Sequence, residues 1–483
     1  MKTGFFETDI TPPLGMEKPS SYRKRYGTKY HDPLKVSAAI FDDGKEIVAL
    51  VGIDSLTCFS AEETALVRTE IEKTCGIPGR NVMIAASHTH TGGPLFGLSE
   101  GLYSEMPELV KTLVTRHSTI PDPLYVAWVK RQIISAVQEA SRVAIERPCS
   151  IGVGREDSVA FNRRFVMKSG RCVTHPGKGN PDIVEPAGPV DPDVTVLSSW
   201  NSDGSLAGCV VNFACHGTTL SDDSISADWI YYMRRAIRSV YGPQAGVVFL
   251  NGACGDITQV NNLDCYTCDS GEEGAFLVGT RVGAEAIKVM ACPEKGDFSP
   301  VRSAQKFLTI ARRIPSESRM KKSMTLVKEA LALNTPFFSS TELTFAKELV
   351  IAGWLASVRP KESVEIQAIQ IGPAVFFANP SEFFCQLGLD IKKRTPFPFP
   401  VVVELANGAV GYVPTTEAFL DSGGGYETVL SSYSNLAPDT GMRIVEESVK
   451  LASEFLPGCT PRKEKIEFSG KEWEYGVLGP DLE

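Results

Sequence analysis

Apolar residues follow two alternating rhythms along the chain. Short, nearly unbroken apolar runs end at Gly, Pro, Asn or Asp, and between them lie longer segments with apolar residues three and four apart. The first rhythm predicts buried strands and the second amphipathic helices. "LKVSAAIFD" (34–42) and "EIVALVGID" (46–54) read as paired strands across the turn "DGK", and "RNVMIAA" (80–86) as another buried strand. Further strands are expected at "DVTVLSSW", "LAGCVVNFA", "GVVFLNG", "VEIQAIQIG", "AVFFAN" and "FPVVVELA". "SAEETALVRTEIEKTCG" reads as a helix with Ser60 as N-cap and Gly76 as its stop. A longer helix spans about residues 122–146, with Asp122 capping and Pro123 in its first position. Others are expected near 228–240, 272–290, 317–333, 341–358, 382–394 and 442–455.

This order predicts an α/β fold: one large catalytic domain over 1–483, with a mixed sheet flanked by helices, room for two lobes and a site on loops at strand ends. There is no internal repeat. The Gly- and Pro-rich stretch 167–193 is too long for a plain turn and reads as a functional loop or lid.

Composition narrows the class. Hydrophobic residues at 43% and charged residues at 22% suit a soluble enzyme or binding protein. A net charge of −9, without a dense Lys/Arg cluster, argues against nucleic acid as a partner. No window approaches the ~18 apolar residues of a membrane span, and no exposed apolar stretch suits membrane docking. The start carries no secretory pattern, so the twelve cysteines are expected to be reduced thiols in a cytoplasm. Cys265 and Cys268 form a single C-x-x-C, without a second pair or a nearby histidine, and read as loop cysteines. Nothing in the chain sets an oligomeric state.

Chemistry gathers at the strand ends. In "AASHTHTGGP" (85–94), His88 and His90 follow an apolar strand, and side chains two apart on an extended segment share one side. They are either metal ligands or a hydrogen-bonded surface pair. "CVVNFACHGTTL" runs into His216, and "GVVFLNGACGDITQV" into a glycine-rich turn bearing Asn251, Asp256 and Thr258. In "FFANPSEFFCQLG", Glu382 is expected to open a helix, as a ligand or as a carboxylate favoured by the helix dipole. Tyr412 in "NGAVGYVPTTEAF" is a ligand or plain packing. Arg163, after "SVAF", is a clamp for a carboxylate, phosphate or oxyanion, or a surface ion pair. His31 and His117 have no such context, and His175 lies in the long loop.

Together, "DITPPLG", "SHTHTGGP", "AFNRR", "VNFACHGTT", "NGACGDITQVN", "NPSEFF" and "GYVPTTEAF…GGYE" resemble the catalytic domain of neutral/alkaline, non-lysosomal ceramidases and their bacterial relatives, over nearly the whole chain. The resemblance implies one zinc ion per chain, held by His88, His216, Glu382 and Tyr412. It places His90, Arg163 and Tyr426 on the substrate side, with His90 and Arg163 as candidates to stabilise an oxyanion. The implied reaction is attack of zinc-activated water on an amide, or on an ester or lactone. Three departures stand beside it. Thr258 replaces the family's serine in the "GDVSPN" turn, and its β-methyl crowds a nucleophile's approach. The family's export signal and C-terminal β-sandwich are not expected here, and no membrane-docking stretch is visible. A small soluble polar substrate is therefore expected ahead of ceramide itself. The alternatives are a zinc-dependent isomerase or lyase acting on a sugar acid, and a binding protein that kept the fold without turnover.

Overall fold

Three mixed β-sheets face one another around a shared core, and each is backed by helices on its outer face. The first has the order Val82–Ala86, Ile47–Ile53, Lys35–Asp42, Lys2–Asp9 and Ile145–Glu146. The second has Gly246–Asn251, Leu206–Phe213, Asp193–Trp200 and Cys149–Arg155; the third has Val301–Ala311, Lys361–Ile371, Ala374–Ala378 and Phe399–Val403. This computed structural model describes residues 1–19, 22–98, 100–291, 293–461, 470, 473–476 and 478–483.

The shared core explains the unbroken apolar runs. Phe41, Leu50 and Met83 of the first sheet meet Leu197, Val210 and Leu250 of the second and Ile369, Phe376 and Val401 of the third. The alternate residues of the same strands pack outward on helices, so both faces are buried and polar alternation disappears. Ala61–Cys75 and Pro123–Arg142 back the first sheet, Trp229–Tyr241 and Gly271–Met290 the second, and Cys385–Arg394 and Thr440–Ala452 the third. The expected caps form. The Ser60 side chain accepts from the Glu63 N–H, Gly76 takes the left-handed conformation, and Asp122 accepts from the N–H groups of Leu124 and Tyr125.

One arrangement in the sheets positions the site. Each sheet contains a single parallel pair at one edge: Ile47–Ile53 with Val82–Ala86, Leu206–Phe213 with Gly246–Asn251, and Ala374–Ala378 with Phe399–Val403. Parallel neighbours end on the same rim. Buried amides then join the three rims: Asn251 Nδ2 donates to the carbonyls of Ser87 and Cys215, and Asn212 Nδ2 to those of Leu250 and Val402.

The structure departs from expectation in places. The sheet core is three sheets rather than one. Within the stretch 167–193, Cys172–Thr174 and Ile183–Pro186 add short strands, pairing on either side of Arg164–Met167. Glu382 does not open a helix; the helix starts at Cys385, and Glu382–Phe383 is a short strand. A helix at Glu108–His117 and the strands Lys2–Asp9, Cys149–Arg155 and Val301–Ala311 were not expected. Among the described residues no strand follows Val413, and no helix is long and apolar enough to cross a membrane.

Candidate active site

His88 and His90 come together by a route other than an extended strand. The strand stops at Ala86, and His88 adopts φ 65°, a left-handed conformation that costs a β-carbon-bearing residue about 1–2 kcal/mol. The turn is pinned from several sides. The His90 N–H donates to the Gly217 carbonyl at 2.9 Å, and the Thr89 hydroxyl to the Ser226 carbonyl at 2.8 Å. Gly217 must be glycine for this approach, because a β-carbon there would lie 2.9 Å from the His88 carbonyl oxygen. The result is a close cluster, with the His88 ring 4.9 Å from His90 and 4.3 Å from His216 between centroids.

His88 Nδ1 lies 2.7 Å from the Leu56 carbonyl, which can only accept, so that nitrogen carries the proton and Nε2 faces the cluster. His88 Nε2 stands 3.4 Å from Glu382 Oε2, and His216 Nε2 stands 3.6 Å from the same oxygen. Glu382 arrives through strand pairing: Glu382–Phe383 runs parallel to Tyr412–Val413, with Glu382 opposite Tyr412. The two carboxylate- and phenol-bearing positions are therefore held side by side.

His88, His90 and His216 form a group that could hold a metal ion, their ligand nitrogens all lying within 4.8 Å of one another. His88 Nε2, His90 Nε2, His216 Nδ1 and Glu382 Oε2 are buried without a hydrogen-bond partner among the described residues. Each such atom costs about 1–3 kcal/mol, so a ligand that satisfied them would remove that cost. Imidazoles and a carboxylate suit a borderline cation such as zinc.

The charges follow the same geometry. Burial, reinforced by Arg163 and His88, pulls the His216 imidazole down to about 3. Burial, reinforced by its histidine neighbours, holds His90 well below the ordinary imidazole range. Both are neutral near pH 7, as metal ligation requires. Burial opposes the charge on His88, but the Glu382 carboxylate 3.4 Å away outweighs it and raises His88. Glu382 is held far below the carboxylate range because the contacts with His216 and His88 outweigh its burial. Burial and the Glu382 charge keep the Tyr412 phenol protonated in the metal-free protein.

Arg163 sits between Phe161–Asn162 and Arg164–Met167 and is 3% exposed, so it is neither on the surface nor free. Its Nε donates to Glu427 Oε1 at 2.9 Å, and its Nη2 donates to the Gly255 carbonyl at 2.8 Å and the Tyr412 hydroxyl at 3.2 Å. Its Nη1 lies 3.1 Å from His216 Nε2. Tyr426 places its hydroxyl 3.0 Å from that of Tyr412, under the guanidinium. Thr258 lies apart from this network. Its hydroxyl donates to Gln259 Oε1 at 2.9 Å and lies 3.5 Å from that of Thr218.

Sequence reasoning passed over two carboxylates. Glu427 is fully buried and joins Arg163 to the Thr174 hydroxyl, although it directly follows Tyr426 in "GGYE". Glu404 is also fully buried, and burial pushes it up to about 7. It ends the apolar run "FPVVV", the strand-end position that singled out the other candidates. His175 reaches the region through its backbone, its N–H donating to the Arg163 carbonyl at 2.8 Å. Cys265 and Cys268 are both exposed. A cavity of about 620 Å³ is lined by Glu382 together with Leu95, Phe96, Ile120, Ile351 and Tyr433.

No family model matches the chain, and no curated protein matches it by sequence. Solved structures do match. A ceramidase complexed with C2 superposes with a TM-score of 0.69 and 18% identity, over 96% of this chain and 77% of its own. Neutral ceramidase from Pseudomonas aeruginosa gives 0.67 and 18%, over 96% and 76%.

The chain has the neutral ceramidase fold.

At 18% identity the match to the ceramidases carries the architecture, and the chemistry must rest on the side chains themselves.

Proposed function

We propose that this protein is a zinc-dependent hydrolase that cleaves an amide bond of a small molecule. The observation that carries the reading is the convergence of His88 Nε2 and His216 Nε2 on one oxygen of Glu382, at 3.4 and 3.6 Å, with His88 Nε2 and that oxygen otherwise unpartnered among the described residues and Tyr412 paired alongside. In this reading those four residues hold one zinc ion, and His90, Arg163 and Tyr426 face the substrate. Zinc, when bound, supplies a Lewis acid that polarises a carbonyl and lowers the pKa of water toward ~7.

The chain's own residues do the rest. Arg163, its charge balanced by Glu427, presents a fixed guanidinium edge beside His216, where a tetrahedral species would carry negative charge. The Tyr412 and Tyr426 hydroxyls extend that donor row. His90, neutral and half-buried, accepts or passes a proton without a competing charge. Burial of the cluster excludes bulk water, which strengthens each of these interactions.

The cavity that reaches Glu382 refines the substrate. Leu95, Phe96, Ile120 and Ile351 on its wall favour an amide with an apolar arm over a wholly polar compound. An isomerase or lyase acting on a sugar acid would use the same metal to hold an enolate or alkoxide; the apolar wall of the cavity favours an acyl amide over a sugar acid, so hydrolysis is the reading we retain. The test is zinc content of the purified protein by elemental mass spectrometry, followed by an acyl-amide screen in ¹⁸O water. Near-stoichiometric zinc with one ¹⁸O in the released carboxylate is expected. Turnover that leaves the label out of the product, or protein that takes up no zinc, overturns the proposal.

A further inference from the structure

Glu404 is buried completely, yet no lysine or arginine pairs with it among the described residues. A buried carboxylate without a cation is costly, and the structure shows what it holds instead. Its Oε2 accepts the backbone N–H groups of both Cys254 and Phe383, each at 2.9 Å. Its Oε1 accepts from the Cys254 thiol at 2.8 Å, and burial keeps that thiol protonated and therefore a donor.

Those two backbone positions belong to different halves of the site. Phe383 directly follows Glu382 on the strand paired with Tyr412. Cys254 directly precedes Gly255, whose carbonyl takes Arg163 Nη2 at 2.8 Å. The Gly255 N–H donates to the Phe383 carbonyl at 2.8 Å, and a β-carbon at 255 would lie 2.5 Å from the Glu382 carbonyl oxygen. The turn is thus docked against the strand with no slack. The Glu404 backbone N–H, donating to the Asn251 carbonyl at 3.1 Å, ties the same carboxylate to the start of that turn.

We infer that Glu404 is a positioning residue for the metal site, clamping the strand that carries Glu382 to the turn that carries the Arg163 acceptor through one oxygen shared by two N–H groups. The inference rests on the zinc reading above. Partners that orient metal ligands typically account for roughly tenfold to hundredfold in metal affinity. Cys254 completes the clamp by holding the second oxygen, which fixes the carboxylate plane.

The experiment measures zinc affinity of the metal-stripped full chain by competition with a chromophoric chelator, and the melting temperature of the same metal-free samples. Glu404→Gln keeps the volume but turns an amide toward donors, and is expected to weaken zinc roughly tenfold to hundredfold. Cys254→Ala is expected to weaken it by a smaller factor, and Cys254→Ser to restore it by replacing the donor. The Cys254 variants leave the Glu404 side chain in place, so if Glu404→Gln does not fold, the Cys254 pair decides. Zinc affinity equal to wild type in the folded variants, with only the melting temperature lowered, makes Glu404 a purely structural residue and overturns the inference. A wild-type protein that takes up no zinc overturns the metal reading itself, and this inference falls with it.

Discussion

The two halves of the site are both buried, yet they keep their polar atoms in opposite ways. In the half built on His88, His90, His216 and Glu382, two imidazole nitrogens approach one carboxylate oxygen at 3.4 and 3.6 Å, and each of the four side chains keeps one buried atom without a partner among the described residues. In the half built on Arg163 and Glu427, the guanidinium meets Glu427, Gly255 and Tyr412, and the carboxylate also takes the Thr174 hydroxyl. The first half carries a cost that only a ligand removes. The second is complete in itself and serves as a fixed charge. Function and stability are therefore expected to separate between them.

The largest effect breaks the comparison from the ligand side. His88→Ala and Glu382→Gln are each expected to abolish stoichiometric zinc and to reduce amide turnover at least ~10³-fold, while leaving the metal-free protein folded. Elemental mass spectrometry and turnover on the same preparations check this. Retained zinc in both variants would place the metal elsewhere.

The second effect comes from the satisfied half. Glu427→Ala strands the buried Arg163 charge, and removing one partner of a buried pair costs about 3–5 kcal/mol. Urea unfolding of the metal-free protein is expected to show that loss, far more than for Glu382→Gln. Equal losses at Glu427 and Glu382 would erase the distinction between the halves.

How much of this was legible in the sequence depends on whether a feature is local. Ser60, Gly76 and Asp122 announce helix ends because a cap involves only its own turn. The parallel-pair strands were visible as apolar runs, and their ends located His88, His216 and Glu382. The identical runs concealed that the strands belong to three sheets, because a strand buried on both faces looks the same whichever partner covers it. His88 misled more subtly. Spacing suggested an extended pair, whereas its left-handed backbone and the bare approach of Gly217 set the geometry, and both depend on residues over a hundred positions apart. Glu382 looked like a helix opener because a helix does follow, three residues later. Glu404 stands at a strand end and Glu427 directly after Tyr426, yet what each carboxylate holds is set by tertiary contacts that no local pattern reports.

An intermediate effect sharpens the comparison through pH. His216 and His90 are depressed below the unfolded imidazole value of about 6.5. As pH falls below that value, the unfolded chain binds protons that the folded one refuses, so the folded state loses stability. His88 is raised, so its contribution runs the other way, present below about 6.5 and lost as pH rises through its folded value. Glu382 is lowered, so its contribution is present above about 4.5 and is lost as pH falls toward its folded value. Two depressed imidazoles outweigh one raised, so the metal-free melting temperature is expected to drop between pH 7 and 5, and further toward pH 4. His216→Asn should flatten the first part of that slope. A profile unchanged by the substitution would mean that His216 is not held neutral by its surroundings.

The smallest effect concerns Thr258, the residue that stands where the sequence resemblance has a serine. Its hydroxyl already donates to Gln259, beside Thr218, and its hydrogen-bond partners include neither a histidine nor Glu382. Without a base in reach its oxygen is a poor nucleophile, so Thr258 is expected to serve packing and one hydrogen bond. Thr258→Val should then cost about 1 kcal/mol of stability, the net value of that bond, leave zinc content at wild-type level, and slow amide turnover by less than ~10-fold. Thr258→Ser should differ from wild type by less still. A Val variant with full zinc but turnover reduced ~10³-fold would move the hydroxyl into the reaction itself, and would make the turn at 256–259 a third working part of the site rather than its support.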